Sequence, residues 1–149
     1  MRFYTVALLL QSVSFSAANL AHYQLYDIQD HLKSFRCLDQ IFNYHGLESH
    51  RLMAYRYLDA GRLTEITIPQ IEVKVRNLPH GRKVMYKSSV PGSRYYLYSM
   101  RGDDDLVTFY NYILIIDSHG HISAIMAQDT SFQIAAPSII RNENLCTIV

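Results

Sequence analysis

Residues 107–128 read VTFYNYILIIDSHGHISAIMAQ, a run of aromatic and β-branched residues interrupted once by a polar cluster. Phe109, Tyr110, Tyr112, Ile113, Ile115 and Ile116 suit a pleated, half-buried surface, and Leu114 completes the run. Asp117, Ser118, His119 and Gly120 carry turn chemistry, with Gly120 able to take positive φ. His121, Ile122, Ser123, Ala124, Ile125 and Met126 then resume a partly alternating strand. The pattern predicts a β-hairpin on which the rest of the chain packs, because no other segment offers as much apolar surface.

The remaining elements are weaker in pattern. Residues 23–35 read as a short helix around 27–33 or as an irregular arm. In residues 47–60 (LESHRLMAYRYLDA), Leu47, Leu52, Tyr55 and Asp59 fall near one helical face, and Met53, Tyr57 and Ala60 near the next. Gly46 marks the start of this amphipathic helix, and Gly61 stands where its end needs a left-handed C′ residue. Residues 64–75 (TEITIPQIEVKV) alternate on either side of Pro69, which confines them to an edge strand or a break. Asn77, Pro79, His80 and Gly81 make a turn, and Val84, Met85 and Tyr86 begin a strand. Pro91, Gly92 and Ser93 turn again before a strand through Tyr95, Tyr96, Leu97 and Tyr98. Residues 101–105 form a charged loop, 128–137 another loop, and 145–149 a last short strand. A helix followed by antiparallel strands predicts an α+β domain with one helix packed on the sheet.

A length of 149 residues fits one domain with a substantial core. Residues 1–21 stand apart from it. Arg2 supplies a positive start, residues 6–10 an apolar stretch, and Ser16, Ala17 and Ala18 a small-residue cleavage zone. This is the pattern of a signal peptide, too short and too quickly polar for a membrane span. Cleavage after Ala18 or Ala21 leaves a secreted, monomeric domain over 22–149 with no membrane segment; the alternative is a buried N-terminal strand. In a secreted chain the two cysteines, Cys37 and Cys146, pair by default, and two unrelated buried thiols are the alternative.

Without Arg2, 14 − 1 = 13 basic residues stand against 13 acidic ones. The balance is uneven along the chain. Residues 73–102 contain Lys74, Arg76, Arg82, Lys83, Lys87, Arg94 and Arg101 and no carboxylate, whereas Arg141 is the only base after Asp103. Tyr86, Tyr95, Tyr96 and Tyr98 are interleaved with these cations. Rings that stack on unpaired bases, beside cations that neutralise phosphates, can bind single-stranded nucleic acid. The candidate RNA contacts are Lys74, Arg76, His80, Arg82 and Lys83, with Tyr86, Lys87, Arg94 and Tyr96. The competing reading is an ordinary solvated face with tyrosines packed on a sheet.

No nucleotide-binding glycine pattern, nucleophile elbow or His-Glu-x-x-His occurs, so no cofactor is expected. His119 and His121, even with His45 and His50, fit no metal-ligand spacing. Asp103 to Asp105 lack the further oxygens of a calcium loop.

Phe35-Arg36-Cys37, a helix ending in Tyr57-Leu58-Asp59-Ala60-Gly61, the Leu78-Pro79-His80 turn, a tyrosine-rich strand, the hairpin and Cys146-Thr147-Ile148 follow one another in order. With the secretion signal, this order resembles the ribonuclease-like secreted effectors of powdery-mildew fungi. Those in turn resemble small guanyl-specific fungal ribonucleases and ribotoxins. The resemblance covers residues 35–149 and implies a microbial ribonuclease-like fold and a virulence role toward host plant RNA or proteins. It also implies where catalytic groups would stand. Cleavage of RNA needs a base for the 2′-hydroxyl, an acid for the leaving oxygen and a cation on the phosphate. His80 matches the turn histidine of that pattern and is at most vestigial. Leu78 stands at the tyrosine position, Leu97 near the glutamate, Tyr112 or Ile113 near the arginine, and Gln128 near the closing histidine. The implied protein has lost catalysis and acts by binding. Two alternatives are an active ribonuclease using His80 with Glu72 or His121, and a protein-interaction module that touches no RNA.

Overall fold

The structure is a computed structural model and describes residues 20–100, 108–133 and 138–149. Residues 1–19 of the expected signal segment, Arg101 and the 101–105 loop lie outside the described residues, as do 134–137 of the expected 128–137 loop. The expected hairpin is present. Strands β7 (Thr108–Asp117) and β8 (Ile122–Gln133) pair antiparallel at the centre of a five-stranded sheet. Its order is β4 (Thr64–Ile66), β6 (Tyr95–Met100), β7, β8 and β9 (Ser138–Leu145). A second sheet orders β10 (Thr147–Ile148), β2 (Ser34–Cys37) and β3 (Gln40–Asn43), and β1 (Gln24–Tyr26) pairs in parallel with β5 (Met85–Lys87).

Helix α1 (Tyr44–Asp59) starts earlier than the apolar pattern suggested, because the Asn43 side chain accepts a hydrogen bond from the Gly46 N–H at 3.3 Å. It ends as expected: Gly61 has φ +67°, its N–H donates to the Leu58 carbonyl, and the Arg62 N–H donates to that of Tyr57. The edge strand expected across Pro69 is instead a short strand, β4, and a second helix, α2 (Ile68–Val75). Thr67 and Gln70 form a reciprocal capping box around it, and Pro69 sits in its first turn, where no N–H is needed. The loop expected over 128–137 is shorter, since β8 runs to Gln133, and the last strand is preceded by β9.

Alternation along the hairpin explains why its apolar run is nearly continuous. Tyr112, Leu114 and Ile116 pack with Leu47 and Ala54 of α1, whereas Ile115, Ala124 and Met126 pack with Ile71 and Val75 of α2. The sheet is thus covered on both faces, one helix to each, and the expectation of a single helix is corrected. The α+β class holds. A register shift after Ile115 places Ile122, two residues from Ala124, on the α1 side instead.

The turn of the hairpin is built on buried charge. Asp117, 1% exposed, accepts from the His119 N–H at 2.9 Å and the His121 N–H at 3.0 Å on Oδ1, and from the Ser88 hydroxyl at 2.8 Å on Oδ2. Beside it, the fully buried ammonium of Lys33 donates to Asp27 Oδ1 at 2.7 Å, Asp30 Oδ1 at 2.8 Å and the Ile122 carbonyl at 2.5 Å. Asp30 sits in a 3-10 turn (Asp30–Leu32), the only helical part of the 23–35 arm, and also accepts from the Ile122 N–H at 3.1 Å.

Cys37 and Cys146 are bonded, with Cα atoms 4.7 Å apart across a sequence separation of 109. In the chain-entropy model such a loop adds about 4–5 kcal/mol, so reduction should lower the unfolding free energy by that amount, with a lower denaturant midpoint and a steeper slope because the unfolded chain expands. Lys33→Met leaves two carboxylates without their cation and should cost about 3–5 kcal/mol, read from the thermal melt. A midpoint or melting temperature equal to the parent's would contradict either statement.

Candidate nucleic-acid interface

Three positions implied by the ribonuclease resemblance converge. Leu97 on β6, Ile113 on β7 and Gln128 on β8 line one cavity of about 520 Å³ on the α2 side of the sheet. They share a face because Leu97 pairs with Ile115, Ile113 with Met126, and Gln128 with Glu143. The polar groups of this cleft are already engaged. Lys74 of α2 forms an ion pair with Glu143, and Gln128 Nε2 donates to Glu143 Oε1 at 2.8 Å. No histidine or arginine lines it. A phosphate entering would meet Glu65 and Glu143, with Lys74 held by the latter.

The basic stretch disperses on folding. Lys74 goes to this cleft, and Arg94, exposed, lies 3.8 Å from Glu65. Arg76 is the exposed residue that ends α2. Tyr86 is in the core, edge-on to Phe35 with ring centroids 5.9 Å apart and Lys33 5.1 Å from its centroid. Its ring has no face to offer a base. Tyr96 is half-buried on the α1 side, as is Tyr98, which meets Tyr57 and His50. These rings do not share the surface of the positions implied for catalysis: strand alternation sends Leu97 to one face and Tyr96 to the other.

The other cations gather elsewhere, joined by one cation that charge counting along the chain did not single out. Arg36 of β2 and Arg82 line one cleft of about 340 Å³ above the disulfide, with no carboxylate in its wall. The second sheet holds them together: Thr147 pairs with Arg36, and the Ile148 N–H donates to the Lys83 carbonyl at 2.8 Å. Lys83 donates to the His22 carbonyl at 2.6 Å and shares a second cleft, of about 360 Å³, with Lys87. That cleft also lacks carboxylates. His80, exposed, stands edge-on to His22 with ring centroids 5.5 Å apart. Arg36 escaped the sequence reading because it lies outside the basic stretch; its place beside Cys37 was the available signal.

His80, Glu72 and His121 are not brought together. Glu72 and His121 each line a different cavity, and His80 keeps company with His22. Among the described residues no group of three His, Cys, Asp or Glu gathers as a metal ion would require, and no helix is long and apolar enough to cross a membrane. No protein-family model, no curated protein and no solved structure matches the chain.

Burial raises the Tyr86 phenol above its ordinary 10.0, and the nearby Asp27 carboxylate raises it further. Below 10.0 the folded and unfolded chains both keep this proton. Above it the unfolded tyrosine ionises first, so stability falls as pH rises toward the raised folded value. Melts recorded from about pH 8 to about pH 11 should show this decline, and it should be shallower in Tyr86→Phe. An equally steep decline in the variant would remove Tyr86 from the account.

Proposed function

We propose that this chain is a secreted, catalytically inactive ribonuclease-like effector that binds host RNA through the carboxylate-free face of Arg36, Arg82, Lys83 and Lys87. The observation that carries the reading is the cleft in which Arg36 and Arg82 stand together with no acidic neighbour in its wall. Two guanidinium groups in one cleft and two ammonium groups in a second, joined through the adjacent Arg82 and Lys83, can track a phosphate backbone, and their affinity arises largely from released counterions. His22 and His80 at the same edge add donors to phosphate oxygens. The convergence of Leu97, Ile113 and Gln128 on one cleft supports a ribonuclease-like ancestry, and their chemistry supports the loss of turnover. None of the three can take up or give a proton, so these three positions supply neither a general acid nor a general base.

A second reading, an active endoribonuclease, is favoured by the His22–His80 pair with Lys83 beside it. One imidazole would take the 2′-hydroxyl proton and the other would protonate the leaving oxygen. Edge-to-face rings at 5.5 Å leave no space for a phosphodiester between them, so the binding reading is preferred.

A mobility-shift titration with a structured RNA across salt tests both. The parent should bind with an affinity that falls steeply with salt and should leave the RNA full-length. Replacing Arg36 and Arg82 by Ala should weaken binding and flatten the log–log salt slope by about one to two units. RNA shortened by the parent but left intact by His80→Ala would establish the second reading. Unchanged binding by the double variant, or no binding at all, would leave a protein-interaction module.

A further inference from the structure

A cavity of about 670 Å³ adjoins the second basic cleft, with which it shares Gln24, Tyr26 and Lys87. It opens between α2, the end of β1 and the loop that joins β5 to β6. Its wall carries Glu72, which is 9% exposed and has neither a hydrogen bond nor an ion pair among the described residues. Every other buried residue of α2 is apolar, Ile71 and Val75. Its oxygens remain open to the cavity, so a cation arriving there would give this carboxylate its first charged partner. The second carboxylate at the rim, Asp27, is already matched by Lys33. Lys87 stands exposed on the opposite rim, and no ion pair links it to Glu72.

The walls define the rest of the ligand. The Tyr26 ring is 90% exposed at the mouth, and Ile68 and Val90, both exposed, flank it. An aromatic face beside an unpaired carboxylate attracts an organic cation, and the aliphatic side chains suit a hydrocarbon stem. We propose that this cavity binds an alkyl ammonium or alkyl guanidinium group, with Glu72 as the counter-ion and Tyr26 over the stem. The group arrives either on a free polyamine or on a lysine or arginine side chain. This site adjoins the RNA-binding face at Lys87 but uses a different group, Glu72, and its proposal does not depend on RNA binding.

The test uses ligand-observed NMR and calorimetry on the full secreted protein with butylguanidine and with butylurea, its neutral counterpart of the same shape. Butylguanidine should bind at millimolar concentration or below and butylurea should not. Glu72→Gln keeps the size of the side chain and breaks no bond of the fold, so its melt should match the parent's. It should bind butylguanidine about tenfold more weakly or worse. Tyr26→Ala, at a fully exposed ring, should weaken binding severalfold without moving the melt. Spermidine and N-acetyl-arginine amide identify the source, and binding of either supports the site. Equal binding of butylguanidine and butylurea, equal binding by Glu72→Gln and parent, or no binding of any cation would overturn the proposal. Glu72→Gln should leave the RNA mobility shift unchanged, and the Arg36/Arg82 double variant should leave butylguanidine binding unchanged, so the two readings fail separately.

Discussion

The arrangement of the domain depends on where the Lys33 ammonium finds its partners. All three of its N–H groups are spent, on Asp27, on Asp30 and on the carbonyl of Ile122, at the first residue of β8. A buried ammonium is costly unless fully paired, so this contact admits one geometry of the arm relative to the hairpin. The arm in turn carries Asp30, whose second oxygen faces Arg51 of α1 at 3.8 Å and His121 of the turn at 3.5 Å. Arm, hairpin and first helix therefore meet at one set of charges. Replacement of the whole set by apolar residues could be as stable, but would not specify the register as narrowly.

The same logic of long-range closure makes the basic face. Arg36 and Arg82 are far apart in sequence, and local folding would leave them unrelated. The Cys37–Cys146 bond and the pairing of β10 with β2 bring the C-terminal strand beside Arg36, while the Ile148 N–H holds the Lys83 backbone against that strand. Folding does the reverse to the contiguous basic stretch. Lys74 is drawn to Glu143 and Arg94 toward Glu65, two carboxylates that lie outside the stretch itself. Charge counted along a chain and charge displayed on a surface differ for this reason.

What was legible in the sequence had local causes. The hairpin was legible because β-branched and aromatic residues crowd into residues 109–116, and the end of α1 because Gly61 alone suits its left-handed C′ position. The disulfide was legible from the count of two cysteines together with the expected secretion signal. Helix α2 was missed although Thr67 and Gln70 spelled its cap: strand-like alternation and Pro69 outweighed that signal. The β2–β3 hairpin was missed because its turn uses Leu38 at φ +53° where glycine or asparagine is expected. Strand β9 is polar through Arg141-Asn142-Glu143-Asn144, and only its pairing with β8 makes it a strand. Of the candidate site, the single residues His80, Leu97, Ile113 and Gln128 could be named in advance, but the Lys33 cluster and the Arg36–Arg82 cleft could not, since both join residues distant in sequence.

The β8–β9 ladder finally separates binding from the catalytic positions of the resemblance. Ala127 pairs with Asn144, and the next pair along is Gln128 with Glu143. Neighbouring pairs on a strand point to opposite faces. Ala127 and Asn144 line the cleft of Arg36 and Arg82, whereas Gln128 and Glu143 line the cleft of Leu97 and Ile113. A polyanion held by the two arginines thus lies across the sheet from the positions where cleavage chemistry would be sought. On that far side the groove presents Glu65 and Glu143, which repel a phosphate, and a lysine already bound to one of them. On the ribonuclease-like reading proposed above, ionisable groups placed at Leu97, Ile113 and Gln128 would therefore not by themselves confer turnover: an RNA bound by the two arginines would be held on the opposite face, and the cleft itself would still carry the wrong charge.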